Sequence, residues 1–362
     1  MKRGSVTAPV DRERGRWAVR WSVVAVVAVV IAAGAWTDRR SWAGRGPRRP
    51  SADAEVLARV PARALDPGAT DRARLRRRLR GDARDIEAAT ELARMEIEAA
   101  RRSGDPRFLD HAEAALATWW DAERPPRTVL LLRATIRQAR HEFDAALADL
   151  DGLLDGASGG PDPLAEQTWL TRAVVLGVLG RYPEALSSCD RLGDRASDFV
   201  VAACRAPLLG VTGHARDGAS ALAGALAAAA SPEEQAWGLS LLGELMRWMG
   251  DDDQAERLLR ASLARRPDDV YTRGVLAELL RDTGRGPEAR ALAGPVDQPA
   301  RLELAREHWR VQREPADARV LLEAAAVAGD RTAAAPVLAW LAETGFEWPR
   351  LRRLAARLGG TP

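Results

Sequence analysis

"MGDDDQAERLLRASLARRPDD", Met249 to Asp269, has the apolar spacing of one charged helix, yet its opening step does not belong to it alone. Gly250 is followed five residues later by Ala255, and the same step returns as Gly284 and Ala289. It also precedes the stretch, as Gly180 and Ala185 in "GRYPEA". His141 with Ala146 holds the same place with histidine for glycine, and Gly213 with Gly218 holds it with glycine for alanine. Successive steps lie 39, 33, 37 and 34 residues apart. A lone helix has no use for such a period. A stack of helices does, because each unit must meet its neighbour in the same way.

Between the steps the pattern is helical, in segments separated by short Gly or Pro punctuation, and no alternating strand pattern interrupts it. The unit from Ala236 carries Leu239, Leu242, Gly243 and Met246, then Ala255, Leu259 and Pro267. Trp169, Arg172, Ala173 and Leu176 lead into Tyr182, and Leu130, Arg133, Ala134 and Arg137 repeat that layout upstream. Small residues at 134, 173, 206, 243 and 277 allow close approach of the two helices of a unit. Glycines 180, 213, 250 and 284 can supply the left-handed residue that ends a helix. Pro207 falls inside a first helix and predicts a kink.

This order resembles the tetratricopeptide repeat (TPR), with leucine or methionine for most of the aromatics. The resemblance spans roughly residues 86–346. It implies an all-α, right-handed superhelical solenoid of helix–turn–helix units, preceded by one N-terminal hydrophobic helix. The expected divisions are a basic tail (1–16), a transmembrane anchor or signal segment (17–37), a flexible Pro/Gly/Arg-rich tether (38–70), the repeat domain (71–346), and a C-terminal capping helix and tail (347–362). Segment 297–314 holds too little for a whole repeat, and "PADARVLLEAAAVAGDRTAAAPVLAWL" resumes one.

Charge separates the N-terminal region from the body. Residues 1–85 carry 20 Lys/Arg against 9 Asp/Glu, and the remainder 34 against 42. The body is therefore acidic, which argues against a nucleic-acid groove, and the basic part reads as a membrane-surface element or a solvated linker. The uncharged run Trp21–Thr37 is 17 residues long, the short limit for a span. Trp17, Trp21, Trp36 and Trp42 flank it like interfacial belts. An exported body behind a retained anchor is expected, with cleavage near Ala35 and secretion as the alternative. Cys189 and Cys204 are read as two small core thiols, or as a pair if the body lies outside the cytoplasm.

No catalytic, cofactor or metal constellation emerges. Lys2 is the sole lysine and asparagine is absent, so Walker and Schiff-base chemistry have no lysine in the body. The four histidines are distant in sequence and lack metal-ligand spacing. Ser158 sits in a G-x-S-x-G match, a remote pointer to a serine hydrolase that would require a strand-to-helix turn. The resemblance instead implies a non-catalytic scaffold with a protein or peptide in a concave groove built by the first helices, the alternative being a cytoplasmic peptide-sensing regulator. No cofactor, small-molecule substrate or nucleic acid is expected. Counting along those helices puts Leu131, Thr135, Leu170, Val174, Trp237, Glu244, Arg247, Trp248, Tyr271, Glu278 and Arg281 on the groove wall. Trp237, Arg247 and Trp248 would be natural anchors, several of these being open to a packing role instead. Arg247 is expected to face solvent. TPR proteins that grip a partner's terminal carboxylate use lysines and asparagines, which this wall cannot offer.

Overall fold

The computed structural model describes residues 68–155, 162–293 and 302–359, and every described segment is helix or short connection. The hydrophobic run, most of the tether and Ser158 lie outside the described residues. Helices α1 (Ala69–Gly81), α2 (Ile86–Ser103), α3 (Arg107–Ala115) and the single turn α4 (Ala117–Trp120) come first. Five antiparallel pairs follow: α5 (Arg127–Ala139) with α6 (Phe143–Asp155), α7 (Ala165–Val178) with α8 (Tyr182–Asp190), and α9 (Asp198–Leu209) with α10 (Ala215–Ala225). Then come α11 (Pro232–Met249) with α12 (Asp252–Arg265), and α13 (Val270–Asp282) with α14 (Gly286–Ala293). The chain ends in α15 (Leu302–Val311), α16 (Pro315–Ala328), α17 (Arg331–Thr344) and α18 (Pro349–Arg357).

The period of the sequence is the period of the turns. Gly180, Gly213, Gly250 and Gly284 have φ of 78°, 81°, 82° and 85°. Three of the helix ends close in one way, with the N–H of Arg181, Asp251 and Arg285 donating to the carbonyls of Leu176, Met246 and Leu280. That long bond satisfies a carbonyl which the helix end would otherwise leave unpaired. His141 adopts the same left-handed conformation at φ 61°, and Glu142 N–H closes on Arg137 O. The small residues earn no other explanation than contact: a Cβ on Gly243 would stand 2.8 Å from Leu259, and one on Gly218 would stand 2.7 Å from the Ala206 carbonyl. Pro207 lies in the last turn of α9, and the chain breaks from that helix into α10 at a kink where Thr212 and Gly213 have non-helical backbone, Gly213 with φ 81°.

Cys189 and Cys204 are joined in a disulfide, which corrects the reading of two free thiols. It clips the end of α8 to α9, so it crosses from one repeat to the next.

The largest departure from an open solenoid lies at the C-terminus. Instead of extending the stack, α15–α18 turn back onto the second, third and fourth pairs, and one continuous core joins residues from Leu131 to Trp248 with residues from Ala305 to Leu358. The N–H of Arg313 donates to Val178 O at 2.7 Å, and Tyr182 Oη receives the indole N–H of Trp340 at 2.8 Å. Helix α18 does have the expected polar outer face, with Arg353 and Arg357 exposed and Leu351 and Ala355 buried. It packs beside α16 rather than over the end of the stack. At the opposite end α2 meets α13, where Arg266 approaches Glu98 at 3.8 Å. The fifth pair shares a separate small core with α12, around Leu259, Leu276 and Leu280.

Candidate functional site: the first-helix wall

The wall is built by α5, α7, α9, α11 and α13, and its residues divide by what covers them. Leu131, Thr135 and Leu170 are buried, and the Thr135 hydroxyl donates to the Leu131 carbonyl. Val174 is half-buried. Trp237 is buried edge-on against Phe199, with ring centroids 5.6 Å apart, and its indole N–H has no partner. Of the two uses open to Trp237, packing is the one its surroundings fit.

Arg247 is not solvent-facing: it is 5% exposed. Its guanidinium lies 4.8 Å from the centroid of the Trp348 ring and reaches Glu278 at 3.2 Å and Asp282 at 2.8 Å. Glu278 continues to Arg319 at 3.1 Å, Arg319 to Glu323 at 3.1 Å, and Glu323 to Arg350 at 3.2 Å. Arg350 returns to Asp282 at 3.2 Å. Three arginines and three carboxylates thus alternate in a closed ring that draws on α11, α13, α16 and α18. Burial pushes the Glu278 carboxyl up, but Arg319 and Arg247 outweigh it and hold it below the usual range.

Beside the ring stands a second polar group with the opposite balance. Tyr271 donates to Glu244 at 2.5 Å. Burial raises the Glu244 carboxyl to about 7 despite that bond and the nearby Arg247. Tyr271 is itself pushed well above its ordinary value by burial and by the Glu244 charge. From the C-terminal segment come Glu314, raised well above the usual range by burial and by Asp317 and Glu244, and Asp317, raised by burial to about 6. Gln312 donates to Asp317 at 2.7 Å, and His308 Nδ1 lies 4.0 Å from Asp317. His141, from the first repeat turn, is lowered by burial, opposed by a hydrogen bond with Gln312, and lowered further by His308. Two histidines distant in sequence therefore share one neighbourhood. Among the described residues no group of three His, Cys, Asp or Glu side chains is arranged to hold a metal ion.

Trp248 is 8% exposed and packs edge-on against Phe346 at 5.4 Å. It also lines a cavity of about 320 Å³ with Gly210, Gly213, His214, Arg216, Met249, Phe346 and Glu347. Arg281 is exposed, and Glu244, Tyr271 and Glu278 are half-buried. The wall is thus largely covered between Val178 and Trp248 by the chain's own α15–α18, and its remaining access is polar. Glu314, Asp317, Arg319, Glu323 and Arg350 had no local signature in the sequence, because the polar cluster they join draws on separate parts of the chain, as where Arg319 meets Glu278 and Arg350 meets Asp282. An i, i+4 pairing of Arg319 with Glu323 was the nearest thing to a signal.

No family model and no curated protein matches this chain. Among solved structures it matches a tetratricopeptide repeat protein from Parabacteroides merdae, 16% identical, over 74% of this chain and 98% of that one, with a TM-score of 0.36. The likeness is slight, and it carries no residue across. The chain's own pairs of antiparallel helices, with a glycine-ended first helix and an alanine-faced second, make it a TPR-like helical-repeat protein.

Proposed function

We propose that this chain is a non-catalytic interaction scaffold, held at a membrane by residues 17–37, with its repeat body outside the cytoplasm. The observation that carries the location is the Cys189–Cys204 disulfide, since such bonds persist in oxidising compartments and are rare in the cytosol. The helical-repeat architecture, with a wall of side chains open to recognition, supports the scaffold role. A protein or peptide partner would engage the part of the wall that α15–α18 leave accessible, at Glu244, Tyr271, Glu278 and Arg281. Charge and aromatic groups together there suit a partner segment offering a basic or hydroxyl-bearing side chain.

The location is tested by trapping thiols in intact membranes without reductant. Cys189 and Cys204 should resist alkylation after denaturation until reduced, and externally added protease should reach the body. Free thiols in the isolated protein would overturn the exported reading. The site is tested with a photo-crosslinking residue at Arg281, and another at Val327, a residue of α16 that is 86% exposed and not part of the wall. Capture of one discrete protein from position 281 and none from 327 is expected. Equal capture at both positions would remove the wall as the site.

A further inference from the structure

Among the described helices α1 carries the largest excess of arginine over acidic residues. In α1 one side is committed inward: Arg72 and Leu75 are buried, Arg72 and Arg76 both pair with Glu96, and Arg78 pairs with Asp85 at 2.8 Å. Arg74, Arg77 and Arg80 remain exposed, at spacings of three that keep them along one side of α1, and Arg84 is exposed in the turn that follows. Arg74 meets Asp71 at 3.1 Å, whereas no ion pair among the described residues engages Arg77, Arg80 or Arg84. The nearby acids are Asp71, Asp82 and Glu87, all exposed. Elsewhere the body carries net negative charge, so this face differs in sign from the rest of the molecule.

We propose that this arginine face of α1 docks on anionic phospholipid headgroups, seating the body on the membrane that holds it. The inference rests on the anchor reading for its geometry. Residues 38–67, whose Pro/Gly/Arg-rich composition reads as a tether, separate the hydrophobic run from α1, and a linker of that length would span about 30 Å. The helix is therefore held close to a lipid surface, and an arginine near such a surface contributes roughly fivefold to binding. Duplex nucleic acid offers the same phosphate chemistry, but an anchored α1 meets lipid at a far higher effective concentration.

The test uses the full chain, labelled with a donor fluorophore at Thr70→Cys and reconstituted in nanodiscs carrying a headgroup acceptor. Energy transfer should be higher in discs containing phosphatidylglycerol than in pure phosphatidylcholine, and high salt should abolish the difference. The quadruple variant Arg74→Gln/Arg77→Gln/Arg80→Gln/Arg84→Gln should lose it, with unchanged thermal unfolding, and the matching Arg→Lys variant should keep it. Equal transfer in both lipids, or no effect of the Gln variant, would overturn the inference. Release of α1 from anionic discs by duplex DNA at equimolar charge would also overturn it, because the face would then be a general polyanion binder. Flotation with phosphatidylcholine vesicles separately tests the anchor. A chain that does not float there yet floats with anionic vesicles through these four arginines retains the inference and loses the anchor.

Discussion

Gly250 and Gly284 occupy the same place in successive repeats and have nearly the same backbone, with φ of 82° and 85°. A Cβ on Gly250 would stand 3.1 Å from Pro349, and one on Gly180 would stand 3.1 Å from Arg313, whereas one on Gly284 would meet nothing within 4 Å. The middle turns are sealed by the C-terminal helices through aromatic packing. Among the described residues, the ion pairs that join the fifth repeat to them run through Glu278 and Asp282, in the charged ring. One repeat motif thus serves two settings. In the first the glycine permits both the helix end and a close neighbour, and in the second it permits the helix end alone.

That difference is broken most directly at Trp340, which is 3% exposed, lies between Trp309 and Phe346, and donates to Tyr182. Trp340→Ala should cost about 3–5 kcal/mol in urea unfolding. A loss below about 1 kcal/mol would mean that the sealed edge contributes little. Next in size is Arg247→Ala, which leaves Asp282 and Glu278 short of a partner in a buried setting and should cost about 3 kcal/mol. The contrasting substitution is Arg260→Ala, on the exposed ladder of Glu256 and Glu288, which should leave the unfolding midpoint within experimental scatter. Equal effects of the two would erase the distinction between the ring and an ordinary surface ion pair.

A finer comparison substitutes the glycines themselves. Gly284→Ala should cost about 1 kcal/mol for its left-handed backbone alone, and Gly250→Ala about 2 kcal/mol because Pro349 must also give way. Identical losses in thermal unfolding would show that the covering helices yield freely.

The smallest expected effect concerns pH. Asp317 and Glu244 have folded values near 6 and 7, and Glu314 is raised further in the same direction. Their protonated forms favour the closed molecule, so this stabilisation is complete below about pH 4 and is lost as pH rises through about 6 to 7. His141 and His308 act oppositely: both are lowered by burial, so their contribution is present above about pH 6.5 and fades as pH falls. Glu314→Gln removes one carboxylate and should raise the unfolding midpoint at about pH 8 while leaving it nearly unchanged at about pH 5. A stabilisation of the same size at both pH values would show that Glu314 does not carry the effect.

The repeat was legible because a stack imposes local rules: the glycine at a helix end and the alanine facing a neighbour recur along the chain itself. Even Gly218 in place of alanine follows from its contact with the Ala206 carbonyl. The covering of the wall was not legible. Arg247 sits at a first-helix position where a charged residue reads as solvent-facing, and nothing near it in sequence announces Trp348 or Arg350. Trp237 and Trp248 carried the right signal, large aromatics on the inner wall, but Phe199 and Phe346 rather than a partner already lie against them. The disulfide was open in the sequence because two cysteines fifteen residues apart on successive helices fit either state.

The bond between Trp340 and Tyr182 joins positions 158 residues apart, and this sets how the molecule can be made. An open array of repeats can nucleate anywhere and grow by neighbours, each step needing only the adjacent unit. Here the second to fourth pairs keep an apolar edge uncovered until α15–α18 have been synthesised and have closed a long loop, a slow step of high contact order. During that interval the nascent chain presents Tyr182 and Trp248 to whatever is near, so the last helices complete both the architecture and the molecule's resistance to aggregation.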